Sequence, residues 1–497
     1  MKGERWTENN DIKNILVLNG SGPVVLVEDN KKYSIEGEGH VMILGVSGTG
    51  KSRRCTIPMT LSFLQNKESA IIIDPKGEIY KNTKGMIDDS YEVHVIDFRN
   101  LYKGNSEKWN PLWAPYELWK RNNPKDRFIA EQMVGELAYS LYETRGNDPF
   151  WSLEARNIFS GCVYFLFENA EPSEINLMSV YSLINDGDKK NDNVSYLDKA
   201  VEFLGKDSIA KMLLQGYVSS ATETKAGLHS VFNEGLSSVI KNSSVRDFLG
   251  NDDISINDIK CDKPTVTYII LPDETPVYDN LAGVLVSQIM SSYLRKAEDD
   301  YNGCLPIKLN LLIEELGNVG KSIRNLPHLM SAGRSRNIRV SFVLQSISQL
   351  NDTYGVSAAT TIMSNASIKI AFRVEHWNTL EELARMCGKK RRKLSDGNRM
   401  TEDLITPADI AKMRVGQMLV MIYGKYKYVT TIPDFQEIYG NIETLNDGFV
   451  DNKVYENGDL LTFDLMKFIK KQEAADVEEI INIKHSDPNT FDWMKRV

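Results

Sequence analysis

The sequence contains no long apolar run, and its few cysteines show no pairing pattern. A membrane-spanning helix needs about 18 consecutive apolar residues, whereas the longest apolar stretches here, such as Cys162 to Phe167, have the length of a buried core segment. The start of the chain lacks the charged and then apolar order of a secretion signal. The 5 cysteines are scattered and odd in number, which argues against a disulfide framework and against a zinc site. We therefore expect a protein without a membrane span in a reducing, cytoplasmic setting.

Positive charge is also in short supply. The 497 residues include 59 basic and 68 acidic side chains, so the formal net charge of −9 excludes a uniformly basic protein that coats DNA. The densest positive segment, Lys389 to Lys393, predicts either a contact with nucleic-acid phosphates or a solvated loop. The last 57 residues hold 12 acidic and 7 basic side chains, so residues 441–497 are predicted to form an acidic C-terminal appendage.

The alternation of apolar patterns predicts an α/β protein with a helical insertion. In the first 125 residues, strand, glycine-rich loop, helix and strand follow one another as in parallel sheets covered by helices. Helical periodicity dominates from 126 to 255, and β-type runs separated by helical patterns return from 256 to 440. The sequence thus predicts one α/β domain in two parts, 1–125 and 256–440, interrupted by an all-α domain at 126–255.

The segment GVSGTGKS, Gly45 to Ser52, matches the phosphate-loop pattern G-x-x-x-x-G-K-[ST] between a predicted strand and a predicted helix. Its glycines let the backbone curl so that successive N–H groups point at phosphate oxygens. Lys51 would neutralise the terminal phosphates and Ser52 would hold Mg²⁺. The two parts of the α/β domain are therefore predicted to bind a nucleotide. The residues predicted to hold it are Gly45, Gly48, Thr49, Gly50, Lys51 and Ser52.

Two acids follow the apolar run LNLLI and form the second part of the predicted site. Glu314 is predicted to organise Mg²⁺ through water, and Glu315 to act as the general base that polarises the attacking water. Paired acids after a mostly apolar run are costly to bury without a cation, which favours a functional role over a solvated strand end.

Further polar residues surround the next apolar strand. Gln345 ends that strand, where a polar side chain can sense the γ-phosphate, or can simply bond to a loop. Arg334, Arg336 and Arg339 precede or begin it and are candidates to reach the triphosphate of a neighbouring subunit as an arginine finger. For any single one of these arginines, a surface or DNA-facing role is the competing interpretation.

A series of motifs runs through most of the chain in a fixed order. They are GVSGTGKS (45–52), IIIDPKGEIY (71–80), WNPL (109–112), DPFW (148–151), the block from Leu311 to Leu350, and YG at 354–355. This order strongly resembles the type IV coupling proteins, the TraG/TraD-like ATPases of conjugation and type IV secretion. The resemblance covers roughly residues 3–435.

The resemblance implies a RecA-like P-loop NTPase domain with a mainly parallel sheet, interrupted by an all-α domain and assembled as a hexameric ring. It implies that the ring hydrolyses ATP with Mg²⁺ and brings a relaxase, bound to its transferred single DNA strand, to the secretion channel at the inner face of the cell membrane. The residues implied by motif are Lys51 and Ser52 for nucleotide and Mg²⁺, Glu314 and Glu315 for the acidic pair, Arg334 for the finger and Gln345 for the γ-phosphate sensor.

The chain departs from the family pattern in two places. Most members carry Asp at the position of Glu314, so the longer side chain places its carboxylate differently around the metal. Members usually have a membrane anchor just before the segment that Gly3 to Ile12 resembles, and here that segment begins at the third residue. Either an anchor was removed, or the protein relies on a separate membrane protein. A monomer in solution is then an expected state of the isolated chain.

Two other functions remain open from the sequence. One is a nucleotide-gated docking platform that recruits relaxase or effector proteins with little turnover, and the replacement of Asp by Glu314 favours it. The other is a DNA translocase of the FtsK or HerA type, which shares the motor fold. The block after Glu315 and the helical insertion argue against the translocase.

Overall fold

The computed structural model describes residues 5–103, 106–144, 148–191, 194–272, 278–393, 399–440, 442 and 460–486. They fall into two compact units, the first within 1–107 and 254–456 and the second within 108–253 and 457–497.

Strands occur mainly in the first unit. Their bounds are β1 (Val17–Leu18), β2 (Val24–Glu28), β3 (Lys31–Ser34), β4 (Val41–Leu44), β5 (Ser69–Asp74), β6 (Glu92–Asp97), β7 (Lys190–Asn191), β8 (Val194–Ser195), β9 (Thr265–Ile270), β10 (Leu309–Ile313), β11 (Ile338–Leu344), β12 (Ile368–Ala371), β13 (Lys389–Lys393), β14 (Arg399–Asp403), β15 (Gln417–Ile422) and β16 (Tyr426–Thr431).

Helices occur in both units. The α-helices are α1 (Asn9–Lys13), α2 (Ile57–Gln65), α3 (Glu78–Thr83), α4 (Trp113–Lys120), α5 (Pro124–Leu141), α6 (Phe150–Asn169), α7 (Leu177–Gly187), α8 (Tyr196–Glu202), α9 (Ile209–Val218), α10 (Thr222–Ile240), α11 (Ser243–Gly250), α12 (Asp279–Asp300), α13 (Leu316–Val319), α14 (Leu326–Gly333), α15 (Ile347–Asn365), α16 (Trp377–Cys387), α17 (Pro407–Ala411), α18 (Phe435–Tyr439) and α19 (Leu465–Ser486).

One large sheet forms the centre of the first unit. Among the described residues its nine strands follow the order β16-β15-β12-β4-β11-β10-β5-β9-β6. Neighbouring strands from β12 to β6 are parallel, and β15 and β16 add an antiparallel edge. Every residue of β4, β5, β9, β10 and β11 is buried, as expected for parallel strands covered on both faces. The predicted α/β class with a mainly parallel sheet is confirmed.

Two smaller sheets accompany the large one. Strands β1, β3 and β2 form an antiparallel sheet near the amino terminus. The basic run Lys389 to Lys393 pairs antiparallel with β14 and is therefore a strand of a hairpin. A solvated loop was one of the two interpretations that the sequence allowed for this run. Cross-strand ion pairs join Lys389 to Asp403 and Lys390 to Glu402.

The second unit is helical apart from the two-residue strands β7 and β8. The apolar run that begins at Cys162 lies in α6, and its side chains are buried, as predicted. Phe165 in this run contacts Phe463 and Phe468, so the described part of the predicted C-terminal appendage packs into this unit. Residues 441, 443–459 and 487–497 of that appendage lie outside the described residues. No helix in the part of the chain that the structure describes is long and apolar enough to cross a membrane.

Candidate functional site

The glycine-rich loop connects β4 to the helical segment that leads into α2. Gly48 and Gly50 have φ values of 77° and 92°, in the left-handed region that side chains with a Cβ rarely adopt. The following segment begins at Ser52 with a π-helical stretch, Ser52–Thr56, that continues as α2. The loop therefore has the tight curl that the phosphate-loop pattern predicts.

Lys51 and Thr49 both bond to the loop itself. The Nζ atom of Lys51 donates to the carbonyl of Val46 at 3.0 Å, and the Thr49 hydroxyl donates to the same carbonyl at 2.8 Å. Burial lowers the pKa of Lys51, and the nearby carboxylates of Glu314 and Glu315 oppose that shift. The ammonium group thus lies beside two acids and is held by a backbone carbonyl.

Glu314 lies directly after β10 and is only 6% exposed. Its Oε1 atom accepts a hydrogen bond of 2.5 Å from the Ser52 hydroxyl, which joins the acidic pair to the end of the phosphate loop. Burial raises the pKa of Glu314 to about 7, the bond from Ser52 opposes this, and the charges of Asp74, Glu78 and Glu315 add to it. Glu314 is therefore a buried acid that has three other acids in its surroundings.

Glu315 is the less buried member of the pair. It has a φ of 60° and precedes α13. The Asn318 side chain donates to its Oε2 atom at 3.4 Å. The left-handed backbone at Glu315 turns the chain directly after β10, and both acids line the same cleft.

The sheet order explains why these segments meet. Strand β11 lies between β4 and β10, all three are parallel, and their carboxyl ends therefore share one edge. A cleft enclosing about 840 Å³, part of it open to solvent, lies at this edge. Lys51, Ser52, Glu314 and Glu315 all line it. The structure thus brings the phosphate loop and the acidic pair together around one space.

Gln345 lies at the same edge but beside a neighbouring cavity. It is exposed at the end of β11, and its backbone N–H donates to the Gln349 side chain at 2.9 Å. Together with Lys51 and Glu315 it lines a cavity of about 320 Å³. Its side chain therefore borders the same lysine and acid that line the larger cleft.

The three candidate arginines lie at the opposite edge of the sheet, before or at the start of β11. Arg334 is exposed, and Arg336 donates to the Ala332 carbonyl at 3.1 Å. Arg339 is 1% exposed and donates to the carbonyls of Ser21 and Gly37. The interpretation of Arg339 as an arginine finger is wrong, because this residue lies inside a central strand of a sheet that is covered on both faces.

Sequence reasoning counted the segment 71–80 among the family motifs but assigned no role to Asp74. Asp74 ends β5, is fully buried, and accepts hydrogen bonds from the backbone N–H groups of Glu78 and Tyr80 at 3.1 and 2.9 Å. Burial raises its pKa to about 6 against the effect of those bonds. Lys76 and Glu78 line the cleft. The signal was present, since AIIID ends an apolar strand with an acid just as the acidic pair does.

Two arginines directly after Ser52 were also missed. The guanidinium of Arg53 forms two bonds with the Asp434 carboxylate, at 2.6 and 2.8 Å. Arg54 lies 3.7 Å from the same carboxylate, and both arginines line the cleft together with Val415. Val415, which precedes the edge strand β15, therefore lines one side of the cleft together with the two arginines.

The residues at the cleft fit a magnesium ion bound largely through water and phosphate. Among the described residues, no group of three or more His, Cys, Asp or Glu side chains is arranged to hold a metal directly. The Ser52 hydroxyl and the Glu314 carboxylate are hard oxygen donors, and Mg²⁺ is usually held by one or two carboxylates with waters and phosphate oxygens. Burial raises the pKa of both Asp74 and Glu314, and a cation placed beside these carboxylates favours their ionised forms.

Comparison with known proteins gives a family match over most of the chain. The family model described as Type IV secretory system Conjugative DNA transfer matches residues 2–425. Protein VirD4 of Rhizobium radiobacter is 23% identical over 332 residues, which are 67% of this chain and 45% of that relative. The chain therefore spans about half the length of the curated relative that it matches.

Solved structures match the fold over nearly their whole length. The bacterial conjugative coupling protein TrwBΔN70, in a trigonal form with sulphate, has a TM-score of 0.64 at 18% identity, covering 87% of this chain and 94% of that one. The plasmid coupling protein TrwB in complex with ADP and Mg²⁺ has a TM-score of 0.60 at 18% identity and the same coverage. At this identity the likeness shows the fold, a P-loop α/β domain with a helical unit.

Proposed function

Since the chain belongs to the type IV secretory system conjugative DNA transfer family, we propose that it is the ATP-hydrolysing coupling protein of a conjugative secretion system. The cofactors of this proposal are ATP and Mg²⁺, and the TrwB structure with ADP and Mg²⁺ supports them. Both the family match and the TrwB neighbours favour a coupling protein over a translocase of the FtsK or HerA type.

The observation that carries the proposal is the single cleft shared by the phosphate loop and the acidic pair. In this cleft the loop N–H groups and Lys51 bind the phosphates, and Ser52 with Glu314 holds Mg²⁺ through water. When bound, Mg²⁺ would neutralise part of the negative charge of the phosphates. Glu315 orients the attacking water and accepts its proton, and Gln345 borders the position of the γ-phosphate.

Arg334 supports a ring in which subunits complete one another's sites. The seven residues of β11 separate it from the cleft of its own chain by about 23 Å, since a strand rises roughly 3.3 Å per residue. A triphosphate that Arg334 contacts as an arginine finger is therefore that of a neighbouring subunit and not that of its own chain. We propose a hexamer as the active assembly and a monomer as a state of the isolated chain.

The proposed partners are components of the DNA-transfer and secretion machinery. They are a relaxase with its single-stranded DNA, the channel proteins, and a separate membrane protein that holds the ring at the inner face of the cell membrane. The basic hairpin strand β13 offers unspecific contacts to nucleic-acid phosphates.

The first test is ATP hydrolysis by the Lys51→Ala variant. Loss of the ammonium group removes the main neutralising charge on the phosphates, so we expect turnover to fall to the background rate. Lys321→Ala, an exposed lysine that does not line the cleft, is the control and should hydrolyse ATP normally. Undiminished, stoichiometric turnover by Lys51→Ala would remove the assignment.

A second candidate function is the nucleotide-gated docking platform, and one contact favours it. The long side chain of Glu314 reaches the Ser52 hydroxyl directly, so these two groups satisfy each other without an ion. ATPase assays over a range of protein concentrations, with and without single-stranded DNA, separate the candidates. Steep stimulation by both supports the ring motor, whereas tight nucleotide binding with negligible turnover supports the platform.

A further inference from the structure

The cleft extends beyond the phosphate loop and the acidic pair, towards Arg53, Arg54 and Val415. These residues lie on the side of the loop away from β10, because Arg53 and Arg54 follow Ser52 in the helical segment and Val415 precedes the edge strand β15. The proposed function accounts for phosphates and metal through the loop, Lys51, Ser52 and the acidic pair, without this part of the cleft. Its chemistry must be read from the two arginines and the valine.

Arg53 is fully engaged by its own chain. Its Nε and Nη2 atoms donate to the two oxygens of Asp434 at 2.6 and 2.8 Å, and Nη2 also donates to the Gln436 side chain at 3.2 Å. Its guanidinium carbon lies 4.8 Å from the centre of the Phe435 ring. Arg53 therefore fastens the start of α18 to the phosphate-loop helix and has little left to offer a ligand.

Arg54 has the opposite character. Its closest acid is Asp434, at 3.7 Å from Nη1, which is beyond hydrogen-bond distance. Its buried Nε atom has no hydrogen-bond partner among the described residues. The side chain passes between two glycines, since a Cβ atom at Gly50 or Gly416 would lie 3.1 or 2.9 Å from it. The two glycines thus leave space for the Arg54 side chain, and its Nε atom forms no hydrogen bond with the described residues.

Val415 supplies an apolar surface beside this arginine. It is 54% exposed, which is unusual for a valine in the lining of a charged cleft. Its position is fixed by its neighbours. The Arg414 N–H donates to the Gln417 side chain at 2.9 Å, and the Gly416 carbonyl accepts from the Ile432 N–H at 3.0 Å.

We propose that Arg54 and Val415 hold the base of the bound nucleotide, with the guanidinium plane and the valine side chain against its faces. A guanidinium group stacks favourably on an aromatic ring, and an exposed valine gains by covering apolar ring surface. The inference rests on the proposed function, because it requires a triphosphate at Lys51. Contacts with the ring faces do not read the groups at the base edge, so the site should accept adenine and guanine about equally.

The test compares ligands with and without a base. Binding of Mg²⁺-ATP, Mg²⁺-GTP and Mg²⁺-tripolyphosphate is measured by titration calorimetry for the wild type, Arg54→Ala and Val415→Ala. We expect each variant to bind both nucleotides about tenfold more weakly and to bind tripolyphosphate as the wild type does. Arg414→Ala, the neighbouring exposed arginine outside the cleft lining, is the matched control and should bind all three normally.

The remaining outcomes overturn the inference in distinguishable ways. Unchanged ATP affinity in both variants, with unchanged thermal unfolding midpoints, removes the base site and leaves the proposed function intact. An equal loss for tripolyphosphate assigns Arg54 to the phosphates instead. A wild-type protein that binds neither ATP nor tripolyphosphate overturns the proposed function together with the base site. A strong preference for one purine contradicts recognition through the ring faces.

Discussion

Glu68 and Glu314 are buried glutamates at opposite edges of the same sheet, and their surroundings differ. Glu68, 9% exposed, accepts hydrogen bonds from Ser21 and from Asn310 and lies 3.2 Å from the Lys308 ammonium. Glu314 accepts from the Ser52 hydroxyl, and three nearby acids add to the effect of burial that raises its pKa to about 7. At the amino edge three partners surround a single carboxylate, whereas at the carboxyl edge Glu314 shares the Lys51 ammonium with Glu315 and also lies near Asp74 and Glu78. A cluster of buried acids with fewer partners than carboxylates therefore distinguishes the candidate active site from a structural ion pair.

The largest expected effect comes from a substitution at the carboxyl edge that abolishes ATP hydrolysis but leaves nucleotide binding intact. Glu315→Gln keeps the shape of the side chain but cannot accept a proton, so we expect ATP turnover to fall by about 10²- to 10⁴-fold. The dissociation constant for Mg²⁺-ATP should stay near that of the wild type. Steady-state hydrolysis and equilibrium binding measure the two effects separately. Glu298→Gln, at the far end of α12, is the control, and normal turnover by Glu315→Gln would contradict the role of general base.

The amino edge should respond in stability and not in function. Glu68→Ala leaves the Lys308 ammonium and the Asn310 amide without their carboxylate, so we expect the free energy of unfolding to fall by about 3 kcal/mol. Urea unfolding measures this change, and Mg²⁺-ATP binding to the folded variant should be unchanged. Glu68→Gln keeps an acceptor for Ser21 and should cost less. A variant as stable as the wild type would show that this cluster contributes little.

At the carboxyl edge, replacing the buried glutamate by Glu314→Gln should stabilise the ligand-free protein. The folded state raises the pKa of Glu314 from 4.5 to about 7, so this state binds a proton more tightly than the unfolded chain does. Stability from this group is complete below pH 4.5 and is lost as the pH rises through 7, with a total on the order of 3 kcal/mol. Glu314→Gln should therefore raise the free energy of unfolding at pH 8 by roughly 3 kcal/mol.

The measurement is urea unfolding at pH 5 and pH 8 without nucleotide. The difference between Glu314→Gln and the wild type should be small at pH 5 and large at pH 8. Glu437→Gln, a glutamate of α18 outside the cleft, is a control for the loss of one negative charge. A variant that is less stable than the wild type at pH 8 would show that Glu314 is stabilised in its ionised form.

The comparison also explains what the sequence could predict. The phosphate loop and the acidic pair are contiguous patterns whose chemistry is local, and the position of both at strand ends follows from the apolar runs before them. Arg53 and Arg54 are adjacent and look alike in the sequence, and only the contact with Asp434, 381 residues further along, tells them apart. Arg339 could not be separated from Arg334 by local pattern, because its burial depends on which strands flank β11. Long-range packing therefore decides the roles of residues that local patterns leave equivalent.

His40, at the amino edge, gives the smallest expected effect. Its contribution to the free energy of unfolding should change with pH in the direction opposite to that of Glu314. Its Nδ1 accepts from the Val340 N–H at 2.9 Å and its Nε2 donates to the Met330 carbonyl at 2.7 Å, so the ring must be neutral. Burial lowers its pKa to about 4, and the charges of Arg334 and Arg339 add to this. Its stability contribution is present above the unfolded value of 6.5 and is lost as the pH falls towards 4.

Glu314 gains stability on acidification in the same range, so the two effects nearly cancel in the wild type and the His40 contribution is best measured in the Glu314→Gln background. There we expect His40 to contribute a fall of roughly 1 kcal/mol in the free energy of unfolding between pH 7.5 and 5.5, set against the gain that Asp74 makes on acidification. Adding His40→Asn should remove that fall, because asparagine can donate and accept without titrating. An equal pH slope with and without His40 would show that the acid sensitivity comes from other groups, and that the amino edge is not held by a neutral histidine.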